Sequence, residues 1–226
     1  MGLLEKANAH ARTLSTGQRQ NLDGLDVAVV EVGMGGRFDA TNVLMPLVSA
    51  ITNVALDHQE YLGRTVSAIA IEKAGIVKSG VPIVVGRLQP DAAGVVERVA
   101  NERHAPRYCL GADFYADGDP VSGFRYNGLE HRYDGLRCPL AGEHQLENVA
   151  CALAMLELAF SEDVRLTDRA VREGLQKVSW EGRLERIDQE PVLLLDGAHN
   201  PAAAEVVASY LKRYRQQHPE ARLILV

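Results

Sequence analysis

The chain has 226 residues, 46% hydrophobic and 24% charged, the balance of a soluble globular protein with room for one good-sized domain and part of another. Its net charge of −6 argues against a general binder of nucleic acid or of anionic membrane surfaces, although a phosphate site needs only local charge. No apolar run reaches membrane-spanning length, the start "MGLLEKANAHARTLSTGQRQ" has no basic stretch leading into an apolar core, and Cys109, Cys138 and Cys151 form no CxxC pair, so a reducing cytoplasm is expected, without a zinc site or disulfide frame.

The segment before Asp26, "ARTLSTGQRQNLDG", is polar and poorly patterned. "DVAVVEVG" (Asp26–Gly33) is a short apolar run ended by glycine and predicts a buried parallel strand. "LVSAITNV" (Leu47–Val54) and "VPIVVG" (Val81–Gly86) predict two more, with a helix between them. On that helix, at 100° per residue, Val66, Ile69, Ala70 and Lys73 share one stripe while Glu72 points elsewhere. An ammonium on an apolar stripe is costly unless it is paired, neutralised or reaches water. Strand, helix, strand spells a right-handed βαβ unit.

"DAAGVVERVANERH" (Asp91–His104) reads as another helix, and "FRYNGLEHRY" (Phe124–Tyr133) as a hairpin turning at Asn-Gly. "HQLENVACALAMLELAF" (His144–Phe160) and "TDRAVREGLQKV" (Thr167–Val178) read as amphipathic helices, the second capped by Thr167. The helical pattern stops near "WEGRLERIDQEP", and a domain boundary is expected there. "VLLLDGAHNPAAAEVVASYLKRYRQQ" then predicts a strand, tight turn and helix, and "RLILV" a final strand. No internal repeat or low-complexity tract is evident.

In open parallel sheets ligands bind beyond the carboxyl ends of the strands. Glu31, His58 and Asp196 fall at such ends. Each alone also reads as an ion pair or turn residue. Gly33, Gly35 and Gly36 permit close backbone approach, and Asp39, Thr41 and Asn42 add polar groups to the same loop, but "GMGGRF" is not a GxGxxG fingerprint. Asn148 lies one turn after His144 and reads equally as a cap or core amide. Arg183 reads equally as a surface charge, and His199, near a helix start, as a turn residue or a neutral neighbour of an anion. His10, His104, His131 and His218 are read as structural.

Taken in order, "EVGMGGRFDATNV", "ITNVALDHQEYLG", "IEKAGIVKSGVPIVVG", "GEHQLENVACALA", "WEGRLE" and "DGAHNP" resemble the folylpolyglutamate synthase and dihydrofolate synthase enzymes, a branch of the Mur ligase superfamily. The resemblance runs from about Asp26 to the last residue. It implies an α/β fold: a Mur ligase-type central domain with a mostly parallel sheet, incomplete, followed by the start of a Rossmann-like C-terminal domain. The domains would be residues 1–186 and 187–226. It implies an ATP-dependent ligase that adds L-glutamate to dihydropteroate or a reduced folate through an acyl phosphate, a cytoplasmic protein with small-molecule substrates, without nucleic acid or membrane partners, monomeric in full-length form.

By the same resemblance, Glu31 and His58 would be catalytic and magnesium-site residues. Lys73 matches the family lysine that takes up carbon dioxide to become a carbamate, which would replace a buried cation by an anion with oxygen donors suited to magnesium. Asn148, Arg183, Asp196 and His199 would contact ATP, and Asp39, Thr41 and Asn42 would lie near the pterin. The family's phosphate-binding GxxxxGK[ST] loop does not occur in this sequence. A fragment of a folate ligase, without activity by itself and prone to association at an open sheet edge, is therefore expected. The alternatives are a non-catalytic remnant serving as a binding module and a Mur-type ligase with another acceptor.

Overall fold

The computed structural model describes residues 27–160, 166–189 and 191–226. They fall into two compact units that divide between Leu110 and Gly111.

The first unit is built on a parallel sheet of β1 (Ser49–Ile51), β2 (Ile83–Val85) and β3 (Arg107–Cys109), in that order. Ser49, Ala50 and Ile51 stand opposite Ile83, Val84 and Val85, which face Arg107, Tyr108 and Cys109 on the other side. All three residues of the central strand β2 are buried, which explains why it reads as an unbroken apolar run. The connections hold α1 (Gln59–Leu62) and α2 (Val66–Ala74) before β2, and α3 (Pro90–Glu102) after it. Thr65 starts α2 by accepting the Ala68 N–H at 3.1 Å. Pro90 opens α3, where its missing N–H would have had no helical partner. Ala92, Val96 and Ala100 turn one face of α3 into the core formed with Ile69, Ala70 and Ala74 of α2 and with Ile51, Ile83 and Val85.

Residues 27–32 do not form the strand that "DVAVVEVG" predicts. They run without regular structure, and Val29 is 52% exposed. A parallel strand is held by its neighbour's ladder, and among the described residues β1 pairs with β2 alone. Asp26, where that prediction begins, lies outside the described residues, as does the polar segment before it.

The second unit opens with an antiparallel meander, β4 (Tyr115–Asp119), β5 (Gly123–Asn127) and β6 (Arg132–Leu136). Phe124 and Tyr126 point inward while Arg125 between them is exposed, the period of two of a half-covered strand. Helix α4 (His144–Ala159) packs on β4 and buries Leu146, Val149, Ala150, Leu153 and Ala154. Helix α5 (Asp168–Gln176) begins at the Thr167 cap and reaches β6 through Arg172, whose guanidinium donates to the Asp134 carbonyl at 2.9 Å. An antiparallel pair, β7 (Glu185–Gln189) and β8 (Val192–Leu195), precedes α6 (Pro201–Gln217), which Asn200 caps.

The Asn-Gly pair is not a two-residue turn. Asn127 stands opposite Arg132, so residues 128–131 form the connection. The Leu129 and Glu130 N–H groups donate to Glu157 Oε2 at 2.6 and 3.0 Å. A Cβ on Gly128 would lie 2.1 Å from Glu157 Oε1, so the glycine makes room for a carboxylate arriving from α4. The last predicted strand, "RLILV", is absent: Ile224 and Leu225 are 75% and 93% exposed. β8 takes its ladder from β7, and no described strand runs beside residues 222–226.

The Gly86 N–H donates to the Ile51 carbonyl at 2.9 Å, and a Cβ on Gly86 would lie 2.0 Å from the Thr52 carbonyl oxygen. Gly86→Ala must force the β1–β2 edge apart. It is expected to lower the unfolding free energy by about 1–3 kcal/mol, read as a fall in the urea midpoint at constant m value.

Candidate active site

In the first unit the site is a glycine-rich loop laid on the end of a helix. The Arg37 N–H donates to the Glu72 carbonyl at 2.8 Å. Gly36 faces the same turn of α2: a Cβ there would meet the carbonyl oxygens of Glu72 and Lys73 at 3.0 and 3.1 Å. From the helix side, a Cβ on Gly75 would stand 2.4 Å from Arg37 Cα. Glycine on both sides is what lets the two backbones touch.

Asp39 shapes this loop from within. Its Oδ2 accepts the N–H groups of Gly33 and Met34 at 3.0 and 3.1 Å, and its Oδ1 accepts the Thr41 N–H and hydroxyl at 2.9 and 2.6 Å. It thereby caps the short 3-10 helix Ala40–Val43. Asn42 Nδ2 donates to the carbonyls of Arg37 and Gly75 at 3.0 and 3.3 Å, and Asn42 Oδ1 accepts from Lys78 Nζ at 2.8 Å. Asp39, Thr41 and Asn42 are therefore brought together, with these polar atoms holding the loop to itself and to α2. Burial pushes the Asp39 carboxyl up, but the Thr41 hydroxyl and the N–H groups of Thr41, Met34 and Gly33 outweigh it and hold it below the usual carboxylate range.

Lys73 is half-buried on the last turn of α2, beside buried Ala70 and Ala74. Its ammonium makes no hydrogen bond or ion pair among the described residues. His58 stands exposed at the start of α1 in a left-handed conformation, φ 48° and ψ 38°. A non-glycine residue held there is strained, a condition concentrated at functional positions. Its N–H donates to Asp57 Oδ1 at 2.8 Å, and its carbonyl accepts from Tyr61 and Leu62. Glu31 is exposed ahead of the glycine loop. No group of three or more His, Cys, Asp or Glu side chains forms a metal cage among the described residues.

In the second unit three segments meet around the start of α4. Asn148 Nδ2 donates to Gln145 Oε1 at 3.0 Å, and Gln145 Nε2 lies 3.1 Å from His144 Nε2. His144 in turn feels the charges of Asp196 and Arg183. Asp196 accepts the Leu184 and Ala198 N–H groups at 2.9 Å each, which ties the "GRLE" segment to the turn after β8. The Gly197 N–H donates to the Gly182 carbonyl at 2.8 Å, and a Cβ on Gly197 would sit 3.1 Å from Arg183 Nη1. His199 Nδ1 lies 2.8 Å from the Gly197 carbonyl. The segment that carries Arg183 thus lies against the turn that carries Asp196 and His199. Through His144 the cluster continues to Asn148.

Burial pushes the His144 imidazole down. Asp196 and Glu147 pull it back and Arg183 presses it further, and the balance lies below the ordinary histidine value. Sequence reasoning used His144 only as a landmark and passed over Gln145. The available signal was their spacing: polar residues at i, i+1 and i+4 on a first helical turn, just after a glycine.

The Mur ligase middle domain family matches residues 5–156 of the chain. The folylpolyglutamate synthase of Lacticaseibacillus casei is 40% identical over 198 residues, 85% of this chain and 46% of that protein. The dihydrofolate synthase/folylpolyglutamate synthase of Bacillus subtilis (strain 168) is 40% identical over 195 residues, 84% of this chain and 45% of that protein. Among solved structures, an FPGS–AMPPCP–folate complex superposes with a TM-score of 0.81 at 40% identity, over 84% of this chain and 48% of that one. The Mycobacterium tuberculosis folylpolyglutamate synthase complexed with ADP and AMPPCP superposes with a TM-score of 0.78 at 38% identity, over 84% and 44%. The chain spans about half the length of the curated relatives it matches.

Asp39 has a depressed carboxyl in the folded state, so the stability it confers is present above the ordinary aspartate value and is lost as pH falls through the folded one. Asp39→Asn is expected to flatten the acid limb of the stability profile. It should also speed amide exchange at Gly33 and Met34, which hydrogen-exchange measurements would read.

Proposed function

The chain belongs to the Mur ligase middle domain family, and from that premise we propose that it forms part of an ATP-dependent ligase joining L-glutamate to dihydropteroate or a reduced folate. The observation that carries this reading is the gathering of Asn148, Arg183, Asp196 and His199 from three segments around one helix start. It occurs in a chain whose fold matches a folylpolyglutamate synthase complex with an ATP analogue and folate. No helix of the described residues is long and apolar enough to cross a membrane. The domain boundary is proposed at 186/187.

In the proposed reaction the substrate carboxylate takes the γ-phosphoryl group of ATP, giving an acyl phosphate and ADP. The glutamate amine attacks the acyl carbon, the carbon–nitrogen bond forms, phosphate leaves and the amine loses a proton. Asn148 and His199 hold the nucleotide. Arg183 offsets phosphate charge as it shifts between oxygens. The Asp196 carboxylate keeps the Arg183 segment and the Gly197 turn in register through its two backbone hydrogen bonds. The loop held by Asp39, Thr41 and Asn42 presents its outer face to the pterin.

Glu31 and His58 are exposed and carry the oxygen and nitrogen donors that a magnesium ion arriving with a nucleotide can use, since magnesium takes one or two protein ligands alongside phosphate and water. When bound, the ion would neutralise phosphate charge. Lys73, half-buried with an ammonium that is unpaired among the described residues, is the group proposed to become a carbamate. That change replaces a half-buried cation by an anion and adds oxygen donors beside the glycine loop.

In the full-length enzyme, phosphate release is expected to require both L-glutamate and the pterin substrate. Equal turnover with an unrelated acceptor, pterins being ignored, would reject the assignment. Purified residues 1–226 are expected to ligate little or no glutamate, and robust ligation would refute the need for a GxxxxGK[ST] loop. Lys73→Ala in the full-length enzyme should abolish activity and be partly rescued by a small carboxylate, whereas an unimpaired variant would exclude the carbamate.

A further inference from the structure

Beyond Lys73, the connection from α2 to β2 carries a second lysine, Lys78, whose ammonium has a defined task. Val77 before it is fully buried, and the Lys78 carbonyl accepts the Val81 N–H at 3.2 Å, so the backbone beneath the side chain is fixed. Lys78 is half-buried and sends Nζ to two oxygens of one residue, the Asn42 main-chain carbonyl at 2.6 Å and Asn42 Oδ1 at 2.8 Å. Hydrogen bonds from an ionised donor are stronger than those between neutral groups. Both acceptors are neutral oxygens, so what the contact demands is a pair of donors.

These partners fix the orientation of the Asn42 amide. An ammonium only donates, and a carbonyl oxygen only accepts. Oδ1 must therefore face Lys78, and Nδ2 must face the carbonyls of Arg37 and Gly75, at 3.0 and 3.3 Å. Turned over, the amide would set a nitrogen against the ammonium and an oxygen against two carbonyls. With both amide N–H groups used, Asn42 has no side-chain donor left for a substrate. Its side chain instead links three pieces of backbone: its own 3-10 helix, the glycine loop at Arg37 and the end of α2 at Gly75.

We propose that Lys78 is a positioning residue for the ligase reaction: through Asn42 it locks the glycine loop against the turn of α2 that carries Lys73. This rests on the reading of that loop as the surface facing the pterin. The lock works beside the Arg37 N–H on the Glu72 carbonyl, so loop and helix end are joined on both sides of Lys73. Without the ammonium, two Asn42 oxygens lose their donor and the amide is free to turn over. The loop face and Lys73 then no longer keep one spacing.

Two experiments test the proposal. Hydrogen exchange in the 226-residue chain reads the lock in Lys78→Met, Asn42→Asp and Lys78→Arg. Met keeps an apolar stem and loses the donors. Asp keeps an acceptor for Lys78 but sets a second oxygen against the Arg37 and Gly75 carbonyls. Arg offers paired donors to the same two oxygens. Lys78→Met and Asn42→Asp are each expected to speed exchange of the Arg37 and Asn42 amides roughly tenfold or more, leaving the Ile83 and Gly86 amides of the sheet unchanged, and Lys78→Arg to stay near the wild type. Unchanged exchange at Arg37 in either variant, or equal acceleration at Ile83 and Gly86, would overturn the lock. In the full-length enzyme, Lys78→Met is expected to raise KM for the pterin substrate roughly tenfold with KM for ATP changing less, and Lys78→Arg to restore it. Parallel rises in both KM values, or no rescue by Arg, would overturn the positioning role. A wild type whose turnover ignores pterins would instead reject the ligase reading, and the exchange rates would still decide the lock.

Discussion

The first unit turns on one backbone contact, the docking of the Arg37 N–H on the Glu72 carbonyl at 2.8 Å. The last carbonyls of a helix have no partner within it. Here α2 finds its partners outside: Arg37 N–H at Glu72, and the Asn42 amide and the Arg103 guanidinium at Gly75. The Arg103 guanidinium also donates to the Val77 carbonyl. Every one of these contacts falls within a few residues of Lys73. The ammonium therefore sits on a helical turn that cannot easily fray, while its own nitrogen makes no hydrogen bond or ion pair among the described residues. A side chain that is to be modified or to hold a ligand benefits from that combination of a fixed base and a free tip.

The second unit makes comparable use of the two ends of a single helix. At the C-terminal end of α4, Glu157 is 3% exposed and holds the hairpin connection through two backbone N–H groups. Burial, and next the charge of Glu157, push the Tyr126 hydroxyl far up, so it stays a neutral phenol beside the carboxylate. At the N-terminal end, His144, Gln145 and Asn148 meet the Arg183–Asp196–Gly197 segment. The meander against α4 is thus a footing for the helix whose start carries the His144–Gln145–Asn148 cluster.

Much of this was legible in the residue pattern. Apolar runs located β1 and β2, and helical periodicity located α2, α3, α4 and α5, the last with its Thr167 cap. The stripe through Val66, Ile69, Ala70 and Lys73 anticipated that Lys73 would lie against buried neighbours. The same reasoning failed at residues 27–32 and 222–226, where apolar composition alone predicted strands. Apolar composition states that a segment can be covered. A strand also needs a neighbour at the right register, and that is information about another part of the chain.

What the sequence determined by itself was local and periodic: which segments bury a face, where helices begin, and which residues have the chemistry for phosphate and metal. The tertiary structure decided how those residues are used. Asp39 and Asn42, read as candidate substrate contacts, place their polar atoms in the loop and at the end of α2, because Asp39 accepts the N–H groups of Gly33 and Met34 and Asn42 donates to the carbonyls of Arg37 and Gly75. Only the return of that carbonyl to within 3.3 Å of Asn42, 33 residues away in the chain, reveals the pairing. Gly128, read as turn chemistry, is required by Glu157 from α4. His144 comes under the charges of Arg183 and Asp196 only because "GRLE" and the turn after β8 fold onto it. In each case the deciding term is a hydrogen bond or an excluded volume between residues distant in the chain, which no local pattern encodes.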